Sequence, residues 1–434
     1  MPSARPASSA PDLSSAPDSV YALIGAFTYD APGGASPGEA ARGLALYDTT
    51  SVPWQALQVD ATPNPSFMVM HPAGHLVYVV NEVTHHAGQP CGAIQVYRVE
   101  SDPPQLCWIT ERALAPGATG PTHIAIDVQG RHLVVSAYTG GQFNLFELDA
   151  QGIPAQVCDV LAHEGLAHQG LAHSGLAYHG QDEGNSTHGE PTHQGSPSSP
   201  PVVPGRDPDR QQAPHAHQAL CSPDGKLWVC CDLGADTLSL FRLQDARFVV
   251  LATHRTLPGA GPRHAAFHPT HPWVYVINEL AVSLTGLRYD EAGLVPMQHE
   301  SQTSSGTSLL PEALHGGCGG SALVMHPGGK WLYASTKGVN TDDPRADSVS
   351  AWSIDQRSGA LSLLWRHTRD VKGARAMTMS ADGSSLYVLN QTAGTVMHLD
   401  IDPQSGLLGA ARIVALAPTP TCLTFLRRPR PLVA

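Results

Sequence analysis

The sequence has little charge, few aromatic residues and no long apolar run. Charged residues fill 14% of its 434 positions, against about 25% in ordinary globular chains. Lys and Arg are outnumbered by Asp and Glu, 25 to 37, for a net charge of −12. Nucleic acid needs a basic face to neutralise its phosphates, so it is excluded as the default partner. No apolar stretch approaches the roughly 18 residues of a membrane-spanning helix, which argues against a membrane partner. The eight cysteines form no Cys-x-x-Cys pair, which removes the usual zinc and disulfide frameworks. They read as thiols of a reducing compartment, the cytoplasm. Residues 1–18 are rich in Pro, Ala and Ser without the apolar core of a signal peptide, and read as a disordered leader.

Abundant instead are Gly, with 42 residues, and Pro, with 37. Such punctuation breaks helices and suits short strands joined by tight turns. Length alone suggests two or three domains, but an internal repeat overrides that prior. AAFHPTHPWVYVINEL from Ala265, LVMHPGGKWLYASTK from Leu323 and TMSADGSSLYVLNQ from Thr378 are three of six versions of one phrase. Each is an apolar strand, a Pro/Asp/Gly turn and a second apolar strand, followed by an alternating run such as SVSAWSID. The turn anchors Gly74, Gly130, Gly225, His271, Gly329 and Gly383 lie 46 to 58 residues apart, except for one gap of 95. One four-stranded antiparallel sheet per roughly 50 residues is the period of a β-propeller blade. A seventh blade can be assembled from VYALIGAFTYD and GLALYD near the N-terminus with TCLTFL at the C-terminus. The expected fold is all-β: a seven-bladed propeller over residues 19–434, closed in one blade by strands from both chain ends.

The wide gap holds a five-residue repeat beginning at Leu161, LAHEGLAHQGLAHSGLAYHG, then Ser/Pro/His-rich sequence. Six histidines fall between His163 and His193, but a Gly every fifth residue denies them the rigidity of a metal site. The segment 160–212 reads as a flexible insertion between blades with no share in the chemistry. No metal or cofactor is expected.

Loops at one end of a propeller converge on the central channel, so polar residues at equivalent blade positions meet there. Pro214-His215-Ala216-His217, Gly261-Pro262-Arg263-His264, Gly373-Ala374-Arg375 and Gly120-Pro121-Thr122-His123 each precede an inner strand. Asn278-Glu279 and Asn81-Glu82 each end a second strand. A His, or a Glu whose pKa burial has raised, can act as general base toward water. An Arg can bind an anion and stabilise an oxyanion. His217, Arg263 and Glu279, from neighbouring blades, form the strongest candidate catalytic trio. His71, His268 and His326 share one turn position and read as structural.

The series PHAH, DLGAD, PGAGPRH and NEL resembles the bacterial lactonase family of seven-bladed propellers over about Tyr21 to Leu426. The resemblance implies hydrolysis of a lactone, the family's best-known activity being that of 6-phosphogluconolactonase. A fungal carboxy-muconate cyclase is a relative. It implies that His217, with His215, and Arg263 and Glu279 line the active site. Two stretches depart from the family pattern: Ser321-Ala322-Leu323-Val324 replaces a Glu-containing stretch, and Thr336-Lys337-Gly338 replaces Asn-Arg-Gly. The expected substrate is a small anionic lactone, with Arg263 at the oxyanion, and His215, His264, Lys337 and Arg375 as binding residues. A lactonizing cycloisomerase and a non-catalytic binding propeller remain the alternatives.

Overall fold

The structure is a computed structural model that describes residues 21–28, 43–101, 104–163, 207–297 and 307–426. The expected leader lies outside them. Seven antiparallel sheets stand in a ring. Blade 1 is the closing blade: its inner strand is Pro420–Leu426, and Tyr21–Ala26, Leu44–Asp48 and Gln55–Asp60 follow outward. The inner strands of blades 2 to 7 are Pro65–Met70, Pro121–Ile126, Ala216–Cys221, Pro262–Phe267, Cys318–Met325 and Ala374–Met379. Each touches the next, and the last touches Pro420–Leu426, so no inner edge stays open.

The packing explains why the second strands read as unbroken apolar runs. In Leu76–Asn81, Val77 and Val79 join a cluster with Leu23, Leu44 and Leu46 of blade 1. The alternate residues Leu76, Tyr78 and Val80 join Ile124, Leu133 and Val135 of blade 3. A strand alternates its side chains between two faces, and here both faces are covered by neighbouring blades. The same split recurs around the ring, giving one apolar cluster at each of the seven blade interfaces.

The turn histidines act as latches between blades. His268 Nδ1 accepts the backbone N–H of Thr270 at 3.2 Å, while Nε2 donates to the carbonyl of Gly329 at 2.8 Å. Gly329 has φ +70°, and a Cβ there would meet the His268 ring at 2.6 Å. His71 makes the matching contact to Gly130 at 3.2 Å, and His326 lies against Gly383. The structural reading of all three is therefore supported by their bonds.

Blade 5 departs from the simple pattern. Its outer position is shared by Gly293–Pro296 and Thr307–Ser308, which both pair with Ser283–Asp290. The insertion also begins and ends differently from the sequence expectation. The outer strand of blade 3 runs to Ala162, and residues from Asp207 onward are bonded into the propeller. Both ends of the segment 160–212 thus belong to the built structure, while most of its histidines lie outside the described residues.

Replacing His268 by Ala removes a buried ring and one of the two donors to the Gly329 carbonyl, leaving Gln356 Nε2 at 3.1 Å. The expected loss is about 2 kcal/mol of stability, read as a lower urea midpoint with an unchanged far-UV spectrum.

Candidate active site

Each inner strand carries one more residue near its start than its partner strand. The pairing jumps over Ser66, Thr122, His217, Arg263, Arg375 and Thr421, and in blade 6 Ser321 and Ala322 face Ser335 alone. Such a bulge re-aims a side chain. In four blades it is a hydroxyl bonded to the next inner strand: Ser66 Oγ donates to Pro121 O, Thr122 Oγ1 to His217 O, Ser321 Oγ to Arg375 O and Thr421 Oγ1 to Pro65 O. Arg263 makes the equivalent bond, Nη1 to Ser321 O at 2.7 Å. His217 and Arg375 make no such bond among the described residues. Three of the seven bulges thus hold the His and Arg residues singled out from the sequence.

A second set of positions lies one residue beyond the second strand's partner of each inner strand. Blade by blade these are Phe27, Glu82, Tyr138, Leu233, Glu279, Lys337 and Gln391. Bulges and second-strand ends meet at one mouth. Arg263 Nε lies 2.9 Å from Glu279 Oε2, while Arg210 Nη2 and Lys337 Nζ approach Oε1 at 3.1 and 3.8 Å. Arg375 Nη2 reaches Glu82 Oε2 at 3.2 Å, and its guanidinium lies 4.9 Å from the centroid of the Phe27 ring.

This concentration of cations sets the protonation states. Burial alone would raise the Glu279 carboxyl, but Lys337, Arg263 and Arg210 hold it far below the usual carboxylate range. Glu82 goes the other way: burial raises it, and Arg375, Arg263 and Lys337 only partly oppose that. The expectation of a burial-raised glutamate at Glu279 is therefore corrected: its carboxyl is lowered, and the raised one in the mouth is Glu82. Lys337 is brought down to about 8: Glu279 supports its charge, but burial and the three arginines outweigh it. Arg263 falls to about 10 through burial, despite Glu279. Burial, then Arg263, Arg375, His123 and Lys337, push His217 well below the usual imidazole value, so its ring is neutral at pH 7.

His217 stands edge-on to Tyr138 and His264, with ring centroids 5.5 and 5.0 Å away. Its Nδ1 has no hydrogen-bond partner among the described residues. The other expected binding histidines are used inside the protein. His215 stacks on Tyr138 at 4.5 Å, and its Nδ1 is bonded to the Tyr138 carbonyl. His264 has Arg263 Nη1 within 3.3 Å of both ring nitrogens. His215 Nε2 donates to or accepts from no described residue, whereas both ring nitrogens of His264 lie against Arg263. His163, first of the insertion's histidines, bonds Asp232 through Nδ1 and Ser239 through Nε2 at 2.9 and 2.7 Å. Arg210, Tyr138 and Glu82 were not singled out as site residues by the sequence reading. For Glu82 the signal was present in Asn81-Glu82, which repeats Asn278-Glu279.

Glu279→Gln leaves the surrounding cations without their shared carboxylate, so stability should fall by about 3 kcal/mol at pH 7. Because its folded pKa is depressed, the wild-type contribution is complete above the unfolded value near 4.5 and fades as pH falls below it. Urea unfolding at pH 7 and pH 3 should show the difference between the two proteins shrinking in acid. An equal difference at both pH values would refute the charge-based account.

The model of the seven-bladed β-propeller lactonase family matches residues 24–425. A 6-phosphogluconolactonase of Bacillus subtilis is 23% identical over 84% of this chain and 88% of its own length. One from Formosa agariphila is 25% identical over 89% and 94%. Among solved structures, the periplasmic gluconolactonase of Pseudomonas aeruginosa superposes with a TM-score of 0.72 at 23% identity, covering 94% of this chain and 99% of that one. That likeness supports the fold. With the family model spanning all seven blades, the chain belongs to the seven-bladed β-propeller lactonases.

Proposed function

We propose that the protein is a lactone hydrolase acting on an anionic sugar lactone such as 6-phosphoglucono-1,5-lactone. The observation that carries this reading is the set of four cations, Arg210, Arg263, Lys337 and Arg375, gathered beside an unpartnered neutral imidazole at one mouth. The relatives named as lactonases support it.

Hydrolysis requires water to attack the acyl carbon, a negative charge to develop on the carbonyl oxygen, and the ring oxygen to leave. Arg263 is held by Glu279 at Nε and by Ser321 O at Nη1, so its guanidinium is fixed before substrate arrives. It stabilises the oxyanion. His217 accepts the proton of the attacking water and returns it to the ring oxygen as the acyl–oxygen bond breaks. Its proton affinity is suppressed partly by Arg263, Arg375 and Lys337, and a bound anion offsets those charges and raises it. Glu279 stays ionised and organises the cations, while Lys337 and Arg375 hold the substrate's anionic group. The eight cysteines are all free thiols, which supports a reducing, cytoplasmic setting.

Arg263→Ala should lower kcat by about 10²- to 10³-fold, measured above the spontaneous hydrolysis of the lactone. Equal rates in both proteins would remove the proposed role. Lys337 is charged below about 8 and neutral above it, so kcat/KM for an anionic lactone should decline as pH rises through that value. Lys337→Arg should keep its charge and lose this alkaline limb; a limb that persists assigns it to another group.

A further inference from the structure

Arg210 comes from outside the blade repeat. It lies just before the inner strand of blade 4, at the C-terminal end of the segment expected to have no chemical role. Its backbone is held in place: Arg210 N donates to Asp207 Oδ1 at 3.1 Å, and Gln211 Nε2 bonds Leu233 O and Asp236 Oδ1 at 2.9 and 2.7 Å. The side chain is 36% exposed, whereas those of Arg263, Lys337 and Arg375 are 3, 17 and 13% exposed.

A guanidinium has five N–H donors in a fixed plane. Here Nε donates to the Tyr138 hydroxyl at 3.2 Å, and Nη2 donates to the same oxygen at 3.0 Å and to Glu279 Oε1 at 3.1 Å. Nη1 donates to no described residue, so two N–H groups of the fork remain unused. Tyr138 receives both bonds on its oxygen, and its own proton is given to no described residue. Its ring is fixed by stacking on His215 and lies edge-on to His217. Three unused donors therefore stand together beside the neutral imidazole, on a cation whose charge Glu279 shares with Arg263 and Lys337.

We propose that Arg210 and the Tyr138 hydroxyl form the specificity-determining subsite for an oxyanion substituent of the substrate, a phosphate monoester in particular. This rests on the lactonase reading for the substrate's scaffold, but the anion subsite can be tested separately. Arg210 and the Tyr138 hydroxyl add their donors to Lys337 and Arg375, which hold the same anionic group, and Arg210 takes no part in the bond-breaking step.

The test compares wild type, Arg210→Ala, Arg210→Lys and Tyr138→Phe on 6-phosphoglucono-1,5-lactone and on unphosphorylated glucono-1,5-lactone, with inorganic phosphate binding followed by calorimetry. Arg210→Ala should lower kcat/KM for the phosphorylated lactone by about 10- to 100-fold, chiefly through KM. The loss for the neutral lactone should be much smaller, so the preference between them collapses. Arg210→Lys should recover part of the preference, and Tyr138→Phe should weaken it in the same direction. Equal losses on both lactones, or none on either, would overturn the proposal. If the wild-type protein hydrolyses neither lactone above the spontaneous rate, the lactonase reading falls. Phosphate affinity then decides the subsite alone: a roughly tenfold loss in Arg210→Ala sustains it, and unchanged affinity rejects it.

Discussion

The polar mouth depends on one extra residue at the start of every inner strand. A regular strand commits alternate side chains to its two faces, and in this ring both faces are filled by the neighbouring blades. A polar side chain there would be buried in an apolar interface. The bulge releases one side chain per blade from that alternation. Ser66, Thr122, Ser321 and Thr421 spend the release on tying their blade to the next. His217, Arg263 and Arg375 occupy the same place in the chain's geometry and belong to the proposed site. The ring tolerates these exchanges because Arg263 still makes the structural bond, and Gln218 Oε1 accepts from Ala265 N to link blades 4 and 5.

The site these positions build is out of electrostatic balance. Among the described residues, Arg210, Arg263, Lys337 and Arg375 pair only with Glu82 and Glu279, in a chain whose net charge is −12. Like charges brought together in a poorly solvated place disfavour further protonation. Lys337 and Arg263 are both lowered, and His217 is kept neutral. An incoming anion relieves all three at once. In the proposed function this positive excess is the binding potential for the substrate's anion, and the same anion would raise the basicity of His217.

The repeat was legible because each blade writes its strands, turn and apolar alternation within about 50 residues of sequence. The trio His217, Arg263 and Glu279 was legible for the same reason, since all three stand at fixed distances from a blade's turn. What sequence could not show is which blades face one another. The Arg375–Glu82 pair spans 293 residues and passes over blade 1, so neither residue announces the other. Arg210 belongs to no repeat position, and the low-complexity sequence before it masks the built segment that begins at Asp207. The blade-entrance motifs place His215 and His264 at the mouth, but the stacking of His215 on Tyr138 and the contact of His264 with Arg263 belong to the folded chain and have no signal in the sequence.

The two Asn-Glu pairs show why a blade motif does not determine its own chemistry. Glu82 and Glu279 follow strands in the same register, Asn81 pairing with Pro65 and Asn278 with Pro262. Their proton affinities nevertheless move in opposite directions. The bulge beside Glu279 in its own blade is Arg263, and the equivalent position in the following blade is Lys337. Beside Glu82 the same two places hold Ser66 and Tyr138, neither of which carries charge. Glu82 has only Arg375 at close range, and one such contact does not outweigh burial. Burial therefore wins in blade 2 and charge wins in blade 5. Because a carboxylate with depressed affinity is a poor proton acceptor, the order of blades around the ring makes Glu279 an anchor for cations and leaves proton transfer to other groups.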